Sequence, residues 1–475
     1  MSKNRVAFLG LDGLGWNILR SVLDKGVTPF LKSCMNNSSK GTLLAIPPST
    51  PPMWISIETG VKPERHGVLD HLLLLNNKVV PINSKYIKYP KIYDILNLEG
   101  KKSLVINPVY ETEIKRGRNV YIFSDRFVPT TGFWPRDFWR KFYHEYISYR
   151  DIFKVKPSFP IKRVKLEFIT RMLIHNVNLI VNLMDKTDPF DLLWLELQEP
   201  DSLLHFDFNY VTKAKGQIGK LFNLIDKLIK RLYELYDLVI IASDHGFKNI
   251  QYMINLVNLL QQHGLIKLTS HNQKVDNIFS KRLTSSILAY IPPRFLMGIH
   301  MFLNKFLNSG LPIYLDLTRS KVLLSYWSLS FKPKFKAKLR SVLNGIPYFE
   351  EIKEINNNYI LIPFYKKGIG MLPAGRVHVL NSRAIIKGFT YHHPYGVFIA
   401  LGESEMGRNL GIIHPHDIVP TIMDYMNLPE PTHLDGISLL SERREKATRK
   451  NYYARYIITK RLKNLSEGVL MKKSP

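Results

Sequence analysis

The chain has 475 residues, 45% of them hydrophobic, a single cysteine and a formal net charge of +28. This composition excludes general disorder, and the lone Cys34 excludes an intrachain disulfide or a thiolate metal cluster. No apolar run reaches the roughly 18–20 residues that span a bilayer, and the positive charge attracts phosphorylated metabolites, nucleic acid and anionic lipid without choosing among them.

The chain begins Met-Ser-Lys-Asn-Arg and runs directly into the apolar residues 6–11, too short a stretch for a secretory segment, so a cytoplasmic protein is expected. Residues 6–11 form a continuous apolar run of the kind found in a buried parallel strand, and Asp12 stands at its carboxyl end. Residues 19–34 read as the first crossover helix and 41–46 as a strand that delivers Pro47-Pro48-Ser49-Thr50-Pro51-Pro52. The prolines open a helix that Gly60 ends, which places the Thr50 hydroxyl at a helix start, where unpaired N–H groups and the dipole favour an anion. A turn follows at 63–67, with His66 in it, then a helix at 91–98 and a short strand at 103–107.

Between 112 and 188 the alternation of strand and helix fades. Phe133, Trp134, Trp139, Phe142, Tyr143 and Tyr149 lie among basic residues there, which predicts an insertion packed as a lid over the sheet. Residues 191–197 are again a buried-strand pattern, and Asp201 and His205 beyond it are spaced to share one side of a helix. A helix at 218–233 and a strand at 237–242 lead into Ser243-Asp244-His245-Gly246-Phe247. A helix at 254–263, strand-like residues at 310–330 and a small α+β excursion at 349–380 precede His392-His393-Pro394, which enters a strand at 397–401. Residues 417–426 read as a helix capped by Asp417, and a basic tail with apolar residues at helical spacing closes the chain.

The organisation expected is an α/β catalytic core in three parts, 1–111, 189–265 and 312–440, with a cap insertion at 112–188, a helical insertion at 266–311 and a basic tail at 441–475. Within the helical insertion, 295–307 reads as a cap or core helix, with a membrane-surface helix as the alternative.

Asp12, Asp201 and Asp244 each follow an apolar strand, and loops at the carboxyl ends of strands line the ligand crevice of an open α/β sheet. With His205, His245, His392 and Thr50 they form an oxygen and imidazole donor set of the size needed by two divalent metal ions. Mixed N/O ligation without sulfur suits Zn²⁺, Mn²⁺ or Fe²⁺ better than Mg²⁺ or Ca²⁺. Two such ions would stabilise the entering and leaving oxygens of an in-line displacement on a small phosphorylated substrate, with Thr50 activated beside one of them.

The motif order, Leu9-Gly10-Leu11-Asp12-Gly13, Pro48 to Trp54, Thr59-Gly60, Pro63-Glu64-Arg65-His66-Gly67, Glu199-Pro200-Asp201 to His205, Ser243-Asp244-His245-Gly246 and His392-His393-Pro394 to Gly402, resembles the alkaline phosphatase superfamily, and within it the type I phosphodiesterase and nucleotide pyrophosphatase branch. The resemblance covers about residues 5–265 and 312–440. It implies a mostly parallel sheet between helices with cap insertions, one metal held by Asp201, His205 and His392, and another by Asp12, Asp244, His245 and the Thr50 oxygen. Thr50 would attack phosphorus, and water would hydrolyse the phosphothreonine.

Sulfatases of the superfamily require Cys or Ser at the nucleophile and a following Arg; Thr50 and Trp54 stand at those positions and disfavour that activity. Where nucleotide pyrophosphatases place a phosphate-contacting asparagine, this chain has His71, a departure that bears on nucleotide specificity. No arginine is identifiable as a grip on a dianionic phosphate, which favours diesters. His393 is assigned to neither metal.

The reading is therefore a metal-dependent phosphodiesterase. Its alternatives are a phosphoryl or phosphoethanolamine transferase or phosphomonoesterase of the same superfamily acting at an anionic membrane surface, and a non-catalytic polyanion binder. No nucleic-acid module and no signal of oligomeric state can be read.

Overall fold

A computed structural model describes residues 4–75, 78–82, 84–111, 117–124, 132–142, 163–254, 256–269, 314–315, 319–324, 327–365, 369–371, 385–402, 407–440 and 448–460. A nine-stranded sheet organises them. Its strands in chain order are β1 (Val6–Leu11), β2 (Ser39–Leu44), β3 (Ser103–Ile106), β4 (Val120–Ser124), β5 (Gly132–Trp134), β6 (Leu192–Leu197), β7 (Leu238–Ala242), β8 (Tyr395–Gly402) and β9 (Asn409–Ile413). In space they run β9-β2-β8-β7-β1-β6-β3-β4-β5. The pairing is parallel except where β8 runs against β2 and β7, and β5 against β4.

Every residue of β1, β6 and β7 is buried, as their apolar runs, broken only by Glu196 in β6, require of strands covered on both faces. Successive side chains feed opposite layers. Ala7, Leu9 and Leu11 join one apolar core with Leu193 and Leu195, while Val6 and Phe8 join the other with Trp194. Phe8 stacks on Trp194 at 4.0 Å between ring centroids. Helix α1 (Trp16–Asp24), α2 (Thr50–Thr59), α3 (Glu199–Phe206), α4 (Gly216–Leu235) and α5 (Ile418–Tyr425) flank the sheet.

Several elements differ from the sequence expectation. The crossover expected at 19–34 is two helices, α1 and Pro29–Cys34, separated at Gly26, whose φ of 68° is left-handed, and restarted by Pro29. Asp226 of α4 accepts the N–H groups of Phe30 (3.0 Å) and Leu31 (2.8 Å), so the second helix is capped from outside. Within 112–188, expected as a lid, the described residues add β4 and β5 to the sheet itself and a long helix, Arg163–Asp185, that packs on α4. Asp417 does not cap α5 through its side chain; its carboxylate accepts the N–H groups of His414 (2.8 Å) and Ile437 (3.0 Å) and ties down a loop.

Residues 246–254, expected to begin a helix near their end, form a strand, Gly246–Ile254. It pairs antiparallel with Ile385–His393 so that Phe247 opposes His392. A four-stranded antiparallel sheet (Val322–Leu324, Ser328–Phe331, Phe349–Asn356, Tyr359–Tyr365) packs with helices Leu256–Gln262 and Lys336–Asn344 around its own apolar core, which includes Tyr391. Most of the expected 266–311 insertion, including 295–307, and the tail from 461 lie outside the described residues. Among the described residues, no helix is long and apolar enough to cross a membrane.

One group of charges sits inside the protein. Lys91 Nζ lies 2.7 Å from Glu58 Oε2 and 3.3 Å from Glu111 Oε2, and all three side chains are buried. Tyr93 donates its hydroxyl to Glu111 at 3.1 Å. Glu196 is close by, and burial, reinforced by the Glu58 charge, raises its carboxyl well above the usual range.

His66, in the turn Pro63–His66, is also buried. Its Nδ1 accepts the Val68 N–H at 3.1 Å, so the ring proton sits on Nε2, 3.2 Å from the Pro52 carbonyl and 3.0 Å from Ser56 Oγ. Burial pushes its pKa down to about 3. The unfolded chain takes up a proton near pH 6.5 that the folded chain refuses, so this group's contribution is intact above pH 6.5 and is lost as pH falls toward 3. Between pH 6.5 and 4.5 the expected loss from His66 is about 2 kcal/mol. Urea midpoints of chelator-treated protein should show it, and His66→Gln should shrink the difference between the two pH values by that amount. A variant with the same pH difference as the parent would exclude His66 as its source.

Candidate active site

The carboxyl edge of the sheet carries the candidate residues because β1, β6 and β7 are neighbours that end together. The Asp12 N–H reaches the Leu197 carbonyl at 3.0 Å, which continues the β1–β6 ladder by one rung. Gly13 then turns left-handed, with φ of 75°, and donates to Asp244 Oδ1 at 3.2 Å. A Cβ on Gly13 would meet the Asp201 Cα at 3.0 Å, so glycine allows the α3 backbone to close on the β1 turn. Leu14 N–H donates to Ser243 Oγ at 2.8 Å, and the three turns are thereby joined.

His245 Nε2 is the hub. It lies 3.4 Å from Thr50 Oγ1, 3.5 Å from Asp12 Oδ1 and 3.3 Å from Asp244 Oδ2. Its Nδ1 faces the Gly246 carbonyl at 3.1 Å, a bond that needs the proton on Nδ1 and leaves a lone pair on Nε2. His392 is held the same way. Its Nδ1 faces the Pro48 carbonyl at 3.0 Å, and its ring stacks on His245 at 3.8 Å between centroids. His392 Nε2 is then 3.3 Å from Asp201 Oδ1 and 2.9 Å from His205 Nε2, and His205 Nε2 is 3.4 Å from the same Asp201 oxygen. Asp201 and His205 share one side of α3, as their spacing predicts.

Two overlapping groups have donor atoms within 4.8 Å of one another: Asp12, Asp244 and His245, and Asp201, His245 and His392. Asp12 Oδ1, Asp201 Oδ1 and Asp244 Oδ2 are buried oxygens without a hydrogen-bond partner. Burial, with Asp244 and then Asp201 nearby, raises Asp12 well above the carboxylate range, and burial raises Asp244 to about 7. Burial also keeps His245 neutral, well below its ordinary value. At Asp201 burial acts upward, but the adjoining His205 and His392 imidazoles overcome it and hold the carboxyl below its usual range. Three crowded carboxylates, unpartnered oxygens and imidazole lone pairs turned inward fit a divalent cation.

Thr50 is the first residue of α2 and is buried. The expected row of helix N–H donors is not present there. Pro51 and Pro52 have no N–H, and that of Met53 turns back to the Ser49 carbonyl at 3.3 Å, so little beyond the Thr50 N–H faces an anion. Negative charge at this helix start must be balanced from elsewhere.

Two residues that sequence reasoning gave no role shape the site. Trp54 Nε1 donates to Asp12 Oδ2 at 3.3 Å. Gly10 makes room for it, since a Cβ there would come within 2.3 Å of the indole. The glycine in the first motif was the available signal. His71 lies apart from the donor cluster, with its Nδ1 2.6 Å from the Tyr110 hydroxyl. Burial, with the nearby His392, pushes it down to about 3, against the opposing pull of Asp201. No local pattern singles out Tyr110.

The sequence pattern of the type I phosphodiesterase / nucleotide pyrophosphatase family matches residues 6–294. Among curated proteins none matches significantly. Of the solved structures, phosphonoacetate hydrolase from Sinorhizobium meliloti 1021, in complex with phosphonoformate, is similar with a TM-score of 0.55 at 11% identity, over 88% of this chain and 94% of that one. Human ectonucleotide pyrophosphatase / phosphodiesterase 5 is similar with a TM-score of 0.54 at 14% identity, over 92% of this chain and 100% of that one. At these identities the likeness is one of fold.

Proposed function

Because the chain belongs to the type I phosphodiesterase / nucleotide pyrophosphatase family of phosphoester hydrolases, we propose that it cleaves phosphodiesters with Thr50 as nucleophile at a site for two divalent metal ions. The observation that carries this reading is the position of Thr50 Oγ1, 3.4 Å from a histidine nitrogen that itself lies within 3.5 Å of two buried carboxylates.

Asp12, Asp244 and His245 would hold the ion nearer Thr50, and Asp201, His205 and His392 the other. When bound, such ions supply positive charge that favours ionisation of the Thr50 hydroxyl and offsets charge on the phosphoryl oxygens. The chain's own part is orientation. Gly246 and Pro48 carbonyls fix the two imidazole tautomers, Trp54 fixes Asp12, and the start of α2 aims Thr50 Oγ1 at the same space. Attack by that oxygen on phosphorus breaks the bond to one esterified alcohol, which leaves with a proton, and joins Thr50 to a phosphoryl group that keeps the other alcohol; water then hydrolyses this threonine ester, releasing the monoester and restoring the hydroxyl. Among the described residues that contact Thr50, Asp12 and Asp244 no arginine is found, and two helix donors are lost to proline, which favours a singly charged diester over a dianionic monoester. Nitrogen and oxygen donors without sulfur favour Zn²⁺, with Mn²⁺ or Fe²⁺ next.

Chelator-treated protein should lose turnover of bis(p-nitrophenyl) phosphate and regain it on adding Zn²⁺ or Mn²⁺, with p-nitrophenyl phosphate the poorer substrate. Metal content should rise to about two ions per chain. Full diesterase activity in demonstrably metal-free protein would refute the reading.

A further inference from the structure

Trp54 lies one helical turn beyond Thr50 on α2, so the segment that presents the hydroxyl also turns an indole toward the same edge of the sheet. The side chain is buried, and its Nε1 donates to Asp12 Oδ2 at 3.3 Å. An indole nitrogen can only donate, so it holds that oxygen as an acceptor. The ring is packed from other sides as well. Phe8 meets it edge to face at 6.4 Å between centroids, and Gly10 lies against it so closely that a Cβ would come within 2.3 Å.

Asp244 is arranged in the same way. Its Oδ1 accepts the Gly13 N–H at 3.2 Å, while its Oδ2, like Asp12 Oδ1, is buried and has no hydrogen-bond partner among the described residues. Those two oxygens lie 3.3 Å and 3.5 Å from His245 Nε2, and Thr50 Oγ1 is 3.4 Å from the same nitrogen. Each carboxylate therefore offers this space one oxygen. Asp12 Oδ1, Asp244 Oδ2, His245 Nε2 and Thr50 Oγ1 make a set of four donor atoms, the number that suits Zn²⁺. Mn²⁺ favours six, and so gains more from a carboxylate that gives both of its oxygens.

We propose that Trp54 is a positioning residue that selects the ion beside Thr50: by occupying Asp12 Oδ2, its N–H confines Asp12 to one donor oxygen and favours Zn²⁺ over Mn²⁺. This rests on the two-ion reading of the Thr50 site. Asp244 is confined by a backbone N–H that no side-chain change removes, so Trp54 is where the preference can be altered.

Two replacements separate the N–H from the bulk of the ring. Trp54→Phe removes the donor and some volume; β-(3-benzothienyl)alanine at position 54 keeps the bicyclic shape and exchanges N–H for sulfur. Chelator competition on the full chain, with Zn²⁺ alone and then Mn²⁺ alone, reads both without turnover. Each replacement should weaken one of the two Zn²⁺ ions by about 10–100-fold and leave the other within about twofold. Mn²⁺ at the weakened position should lose less than about threefold, because the released Oδ2 becomes a further donor. Unchanged Zn²⁺ affinity, equal losses of Zn²⁺ and Mn²⁺, or a loss in Trp54→Phe that the benzothienyl variant does not share would each overturn the proposal. Co²⁺ in place of Zn²⁺ gives a second reading. Its visible absorption, strong with four donors and weak with six, should fall in both variants, and an unchanged spectrum would also overturn the assignment. A parent chain that binds no divalent ion would remove this proposal together with the reading beneath it, whereas one that binds ions but leaves diesters intact would remove the phosphodiesterase reading alone.

Discussion

Thr50→Ala should lower turnover of a chromogenic diester by at least about 10³-fold while the protein keeps most of its bound metal. The size follows from the assigned role. Removing a nucleophile leaves only binding and electrostatic stabilisation, whereas the carboxylates and imidazoles of Asp12, Asp201, Asp244, His205, His245 and His392 remain to hold cations. Loss of fold is a poor explanation for such a result. The residue before it, Ser49, makes no side-chain cap bond, and among the described residues the polar contact of Thr50 Oγ1 is a long one, 3.4 Å to His245 Nε2, so alanine costs the helix start little. Thr50→Ser, which restores a hydroxyl, should recover much of the rate. Steady-state rates with metal content measured on the same preparation check both variants. Turnover that survives in Thr50→Ala would remove Thr50 as the attacking group.

The second large effect concerns stability. Lys91→Met should destabilise the fold by about 3–5 kcal/mol, because methionine fills the space of the aliphatic stem but leaves Glu58 and Glu111 buried without their cation. Both carboxylates are fully buried, so they cannot turn to water. Glu58→Gln added to Lys91→Met should restore part of the loss, since it removes one of the two charges. Urea denaturation measures both. A Lys91→Met midpoint equal to the parent's would mean that the lysine charge balances nothing.

The parts of the site that could be read from sequence are those where one strand or one helical turn does the placing. Asp12 and Asp244 follow apolar runs that can only be buried strands, and Asp201 and His205 are one turn apart, so local pattern carries them to the sheet's carboxyl edge. His392 was found by its motif, but the reason it arrives beside His245 is a pairing partner at Phe247, far away in the chain, and no local periodicity records that. The polar residues Lys248, Asn249 and Gln251 disguised the strand itself. β4 and β5 escaped for another reason. They are short, and β5 is only half-buried, so neither shows the long apolar signature of β1. The helix-start error was of a different kind: Pro51 and Pro52 were in plain view, and their missing N–H groups already ruled out a full set of backbone donors.

The antiparallel ladder between 246–254 and 385–393 has a mechanical corollary. It works as a clasp. The chain departs from the candidate site immediately after His245 and is returned to it at His392, with both ends registered by the same rungs. The four-stranded sheet between those ends is coupled to both, since its core takes in Tyr391 beside His392 and its Ser328 hydroxyl donates to Asp70 at 3.0 Å, so a change in its packing is felt at the returning end of the clasp.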